Sequence, residues 1–150
     1  SIPLAILMPL FADLLHLGLI ELHSLQFGQD ADQLRPWLDL DGIKEWHHEV
    51  KDFSETAHLV RQMDLVISVD TAVAHLAGAL NRPTWLLLPQ NADFRWMKDR
   101  SDSPWYPSMR LFRQRKHGDW SGVVEDLNHA FHELTLLEFS ALANNISSRP

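Results

Sequence analysis

The stretch 65–80, LVISVDTAVAHLAGAL, restricts the possible folds more than any other part of the chain. Its opening run, LVISV, has almost no polar alternation, as expected of a strand covered on both faces in a parallel sheet. The chain then passes without a linker into a helix of small residues over 72–80, which Asn81, Arg82 and Pro83 end. A strand buried on both faces needs neighbouring strands at its edges and helices above and below. The surrounding sequence must supply them.

It does so by repeating the same alternation. Residues 21–27 (ELHSLQF) read as a strand, followed by a turn at Gly28 and a short helix over 30–38 with Asp30 as its N-cap. A weaker strand spans 44–50, and a helix over 53–63 places Phe53, Ala57, Val60 and Met63 on one stripe with Ser54 as its candidate cap. Residues 84–88 (TWLLL) give another buried strand, 109–114 (MRLFRQ) an outer strand, and 121–139 a long final helix with Asp119 or Ser121 near its cap. Residues 2–20 are apolar, but Pro3, Pro9, Asp13 and His16 interrupt them and no basic region precedes them. They read as a helix packed on a core rather than a signal or a membrane span. Strand then helix, five times over, predicts an α/β fold: a Rossmann-like parallel sheet with right-handed crossovers and helices on both faces. At 150 residues the chain is long enough for one domain, expected over 1–143 with a tail at 144–150.

Charge and cysteine content narrow the function. Thirteen Lys and Arg against 20 Asp and Glu leave a formal charge of −7, which argues against a general nucleic-acid binder and against anionic membranes while leaving room for a small phosphate ligand. With no Cys there is no disulfide framework, thiol nucleophile or Cys-ligated zinc, and the cytoplasm is the default compartment.

In sheets of this kind ligands gather beyond the carboxyl ends of the strands. The candidate loops are 26–30, 70–73 and 89–96. Asp70 and Thr71 fall at the start of the 72–80 helix, where the amides of Thr71, Ala72 and Val73 and a macrodipole of about half a charge favour an anion by ~0.3 to 2 kcal/mol. The alternative is that Asp70 or Thr71 caps the helix and the alanines only pack. A diphosphate carries about two charges, more than a helix terminus balances, so a cation from outside this turn is required. Arg95, Lys98, Arg100, Arg110 and Arg113 stand in or beside the irregular stretch 89–107, where one helical turn is expected near 94–97. A loop of that length in a compact domain is usually functional. Phe94, Trp96, Trp105 and Tyr106 within it can stack on a base or sugar, or form the loop's own small core.

Other constellations are weaker. His47 and His48, adjacent on the presumed second strand, are expected to face opposite ways. His129 and His132, near Glu125 and Glu133, have helical metal-ligand spacing, though an exposed polar face is the favoured account of them. GxSxG, HExxH, P-loop and GxGxxG patterns are absent. Neither a metal site nor a cofactor is expected.

Residues 24–26 (SLQ), 64–80 (DLVISVDTAVAHLAGAL), 83–89 (PTWLLLP), 94–96 (FRW) and 103–114 (SPWYPSMRLFRQ) together resemble the C-terminal half of glycosyltransferase family 9-like proteins, the heptosyltransferase superfamily. There is a particular likeness to the domain that follows tetratricopeptide (TPR) repeats in bacterial proteins described as O-GlcNAc-transferase-like. The resemblance runs from residue 1 to about 137. It implies one half of a GT-B fold, the half that binds a nucleotide-sugar donor of an inverting glycosyltransferase. By the resemblance, Thr71 and Ala72 hold the diphosphate beside Val73, Asp70 faces donor sugar hydroxyls, His75 lines the turn, and Ser24 and Gln26 flank the nucleotide. Arg95, Trp96 and Arg113 complete the expected site. No catalytic residue is expected in this chain, since the general base belongs to the other half, an N-terminal domain or repeats of the same polypeptide, without which the domain is silent. In two places the sequence departs from the family: Phe27 stands where a Lys commonly follows SLQ, and Ala72 where heptosyltransferases have Gly. The first favours an alternative in which the fold is kept as a non-catalytic interaction or scaffold module.

Overall fold

A computed structural model describes residues 2–98 and 100–147; at position 139 and over 141–147 it describes the backbone alone. In chain order the elements are α1 (Leu4–His16), β1 (Leu22–Ser24), a 3-10 segment (Gly28–Trp37), β2 (Ile43–Glu45), α2 (Phe53–Gln62) and β3 (Val66–Val69). Then follow α3 (Ala72–Ala79), β4 (Thr84–Leu88), a 3-10 turn (Phe94–Trp96), β5 (Met109–Arg113) and α4 (Ser121–Ser147). Every strand pairing is parallel and helices lie on both sides, so the α/β, Rossmann-like reading holds.

The centre is β4, all five residues of which are buried. Alternation along it sends Trp85 and Leu87 to one face and Leu86 and Leu88 to the other. On the first face they meet Met8 and Phe11 of α1, Phe112 of β5 and Val123 and Leu127 of α4. On the second, Ala74 of α3, Trp96, Met109 and Leu111 enclose them. Two-sided cover is the reason this strand carries no polar alternation. The opening helix packs as the sequence implies: Leu7, Met8, Phe11 and Leu15 make its buried stripe, and Pro9 is accommodated within it.

Several boundaries differ from the sequence reading. Among the described residues the strands form two sheets, β1-β2 and β3-β4-β5, rather than one. β2 ends at Glu45, and residues 46–50 turn back, with the amides of Glu49 and Val50 both donating to the carbonyl of Trp46. His47 and His48 therefore lie in a turn, where strand alternation does not apply, and their rings sit together at 3.7 Å instead of facing opposite ways. The helix expected at 30–38 is a 3-10 segment that starts at Gly28, whose φ of +65° suits glycine, and Asp30 accepts from the Gln33 side chain instead of capping. Helix α2 is capped by Asp52, not Ser54: its carboxylate accepts from the amide of Glu55, while the Glu55 carboxylate accepts from the amide of Lys51. Asp119 accepts from the Ser121 amide and hydroxyl at the start of α4. That helix continues through 144–147, the start of the expected tail; residues 148–150 lie outside the described residues.

Candidate functional site

The site is built at the carboxyl ends of β1, β3 and β4. β3 delivers Asp70 and Thr71 directly to the first turn of α3. Thr71 has the extended backbone of an N-cap, φ −139° and ψ 169°, yet its side chain makes no capping bond. Its hydroxyl lies 3.0 Å from the Ser68 hydroxyl instead. The capping alternative is thus not realised, and among the described residues the amides that open α3 have no side-chain acceptor. Thr71 and Ala72 are exposed and Val73 is half-buried, so these groups are accessible.

Asp70 does something else. One carboxylate oxygen accepts from the indole N–H of Trp96 at 2.9 Å, and the other lies 3.3 Å from His75 Nε2. His75 Nδ1 is in turn 3.2 Å from the Tyr106 hydroxyl. The imidazole stacks on the indole of Trp96 at 5.4 Å and meets the Tyr106 ring edge-on at 5.9 Å. With three fixed neighbours the ring has one orientation. Asp70 and His75 nonetheless keep 27% and 34% of their side-chain surface open, so both can still meet a ligand. A carboxylate has about four acceptor positions, and two of those on Asp70 are used.

The loop after β4 is ordered by its own side chains. Asp93 accepts from the backbone amide of Arg95 at 3.0 Å and grips the guanidinium through both carboxylate oxygens, at 3.0 and 3.2 Å. This pairing lowers the Asp93 carboxyl below its ordinary range. It raises Arg95, with Asp70 and Tyr106 contributing further off. Trp96, fully buried, plugs the space beneath. Arg113, at the end of β5, donates from Nη2 to the carbonyls of Trp96 and Met97, at 3.1 and 2.5 Å, while its Nε is buried without a partner. Met97 adopts φ +48°, a strained conformation for a side chain of its size, which the guanidinium holds in place. Of the loop aromatics, Trp96 is loop core, Tyr106 is half-buried against His75, and Phe94 and Trp105 are exposed.

Ser24 and Gln26 stand at the end of β1, across a cavity of about 450 Å³ whose lining also includes Phe27, Ser68, Thr71 and Val73. The structure therefore places the expected residues in two adjoining groups. Ser24, Gln26, Thr71 and Val73 share the cavity; Asp70, His75 and Trp96 form the network beside it. Ala72 opens α3 between them. Arg95 and Arg113 belong to the loop, one paired with Asp93 and the other with backbone carbonyls. No group of three or more metal-ligating side chains occurs among the described residues; His129 and His132 are exposed on α4.

Two contributors are not singled out by the sequence reading. Ser68 reads only as part of the strand, although a serine interrupting an aliphatic run is a visible signal, and Asp93, the partner of Arg95, is the other. Gly78 stands among the small residues that allow close approach, and its neighbour is specific: a Cβ there would lie 2.6 Å from the Tyr106 ring, so glycine is what lets that ring lie against α3. Its spacing of three from His75 puts both on one helical face, but nothing in the local sequence shows what covers that face.

Residues 51–118 match the model of glycosyltransferase family 9 (heptosyltransferase). That span runs from the approach to α2 to just before α4 and includes both Thr71 and the loop after β4. The chain is also similar to Protein FlbA of Caulobacter vibrioides, 28% identical over 120 residues, which cover 77% of this chain and 20% of that protein. The chain thus spans about a fifth of that relative's length. No solved structure matches it significantly. Parallel strands flanked by helices agree with a Rossmann-like glycosyltransferase fold. Among the described residues no helix is long and apolar enough to cross a membrane.

Proposed function

We propose that this chain is the donor-binding domain of an inverting glycosyltransferase and takes a nucleoside-diphosphate sugar. The observation that carries the reading is the uncapped start of α3 at the mouth of the cavity: an accessible set of backbone donors, with the Thr71 hydroxyl beside them and no side chain among the described residues using them. Phosphate oxygens suit such a terminus, where dipole and N–H groups act together. Asp70, oriented by Trp96 and His75, offers its remaining acceptor positions to sugar hydroxyls. Ser24 and Gln26 face the nucleotide from the opposite lip. The family match supports a glycosyltransferase fold; the donor, its base and its sugar are this proposal's own content.

The general base that deprotonates an acceptor belongs to another part of the enzyme, either an N-terminal half or a repeat region in the same polypeptide. On this reading the domain binds donor and does not turn it over alone. Calorimetric titration with UDP, ADP and GDP and their sugars tests it. Saturable binding of one of them is expected, and no heat from any at millimolar ligand contradicts the reading.

One observation favours the second reading, an interaction or scaffold module. Arg95 is already neutralised by Asp93, and Phe27 stands at the lip where a lysine would balance phosphate charge. If that reading holds, Thr71→Ala leaves biological activity intact; loss of activity in a variant that keeps its melting midpoint speaks for ligand binding.

A further inference from the structure

Tyr106 meets the site through His75, and the hydrogen-bond chain between them has a direction. An ionised carboxylate only accepts, so His75 Nε2, 3.3 Å from one oxygen of Asp70, carries a proton. A neutral imidazole has one N–H and one lone pair, which leaves the lone pair on Nδ1. The Tyr106 hydroxyl, 3.2 Å from Nδ1, is then the donor. Trp96 donates to the other oxygen of Asp70 at 2.9 Å. Two donors thus converge on Asp70, and one of them is held from behind by the phenol.

The phenol is itself built into place. Its ring rests on Gly78, where a Cβ would lie 2.6 Å away. The Tyr106 amide donates to the hydroxyl of the buried Ser103, and its carbonyl accepts from the amide of Met109 at the start of β5. Tyr106 is half-buried, and among the described residues its hydroxyl hydrogen-bonds to His75 alone.

We propose that Tyr106 is a positioning residue for the donor sugar: by donating to Nδ1 it fixes the His75 ring, and His75 with Trp96 fixes Asp70 as a pure acceptor for ligand hydroxyls. The inference rests on the donor-site reading and adds to it a division of the ligand. Phosphate oxygens are negative and accept, so Asp70 repels them while the amides that open α3 attract them. Sugar hydroxyls donate, and they find on Asp70 the acceptor positions that His75 and Trp96 leave open. A reversed chain, with Nδ1–H toward Tyr106, sets the Nε2 lone pair against the carboxylate and undoes the arrangement. Tyr106 acts through His75 and needs no contact with the ligand.

Two measurements on the full chain test this. The first is long-range proton–nitrogen NMR of the imidazoles at about pH 8, where histidine side chains are mostly neutral, with His75→Gln to assign the signals. His75 is expected in the Nε2–H form, and Tyr106→Phe should move its Nδ1 resonance downfield, as loss of a donor to a lone-pair nitrogen does. An Nδ1–H form, or an Nδ1 resonance that ignores Tyr106→Phe, overturns the proposal whether or not a ligand binds. The second is calorimetry of the unmodified chain and Tyr106→Phe with UDP, ADP and GDP and with UDP-glucose, ADP-glucose and GDP-mannose. For the pair that binds, Tyr106→Phe is expected to weaken the nucleotide-sugar about fivefold, as loss of one hydrogen bond implies, and to leave the bare nucleotide unchanged. Equal weakening of both, or of neither, overturns the positioning role and leaves the donor reading standing. No binding by any of these ligands contradicts the donor reading, and the sugar-positioning role falls with it.

Discussion

Each half of the molecule has a tryptophan that donates its indole N–H to another side chain, and the two are held very differently. Trp96 is fully buried, gives its proton to Asp70 at 2.9 Å, stacks on His75 and has its carbonyl held by Arg113. Trp46 is half-buried, gives its proton to His23 Nδ1 at 3.0 Å and stacks on that ring in a two-stranded sheet with no fully buried strand residue. The first is part of a packed wall that fixes Asp70 and the start of α3. The second braces a thin lobe that carries Ser24 and Gln26. A binding site assembled from one rigid and one loosely supported side owes its geometry to the first and its adjustability to the second.

The sharpest way to break this contrast is to truncate both rings. Trp96→Ala is expected to destabilise the chain by about 3–5 kcal/mol, from lost burial, a cavity and an orphaned Asp70. Trp46→Ala should cost about 1 kcal/mol, since a half-buried stack and one hydrogen bond are lost. Urea unfolding of both variants checks this, and similar costs would erase the distinction. A smaller effect is expected at Gly78. Alanine raises helix propensity by up to ~1 kcal/mol but drives a methyl group into the Tyr106 ring, so a net loss of roughly 1–2 kcal/mol is expected. In a double-mutant cycle Tyr106→Ala should relieve most of it. Additive losses would show that the ring does not rest on α3.

The smallest effect concerns acid. Asp93, beside Arg95, and Glu21, beside Lys44, both have carboxyls held below their ordinary values of 3.8 and 4.5. A depressed folded pKa means that the unfolded chain takes up protons first as pH falls. The stability these groups contribute is therefore complete above about pH 5 and is lost as pH drops through their folded values. Asp93→Asn and Glu21→Gln should each flatten the acid limb of the urea midpoint between pH 5 and pH 3. Both groups are exposed, so the change is modest. An unaltered limb would mean that these pairs do not persist in solution.

How far this arrangement could be read from the sequence depends on whether the deciding contacts are local. β4 was legible to the residue because two covered faces leave an unbroken apolar run, and α1 and α3 followed from buried stripes and small residues. β2 was misplaced because residues 46–50 include Trp46 and Val50 and so look strand-like, whereas backbone bonds to the Trp46 carbonyl turn them back. The direct passage from β3 into α3 was legible because strand and helix are contiguous in sequence. The Trp96–Asp70 bond was not, since it joins residues 26 apart through a loop with no periodicity. The same holds for Tyr106 over Gly78 and for Arg113, whose guanidinium looked like a phosphate partner in sequence and holds loop carbonyls in the fold.

The most direct test is a backbone substitution at the first residue of α3. Proline is favoured at that helical position, and the extended backbone of Thr71 suits the residue before it. Ala72→Pro should therefore keep the fold and melting midpoint while removing one N–H from the donors at the cavity mouth. Measured by calorimetry beside the unmodified chain, UDP affinity is expected to fall by roughly 10- to 100-fold, as loss of a charge-assisted hydrogen bond implies. Unchanged affinity in a folded Ala72→Pro chain would show that the phosphates bind elsewhere.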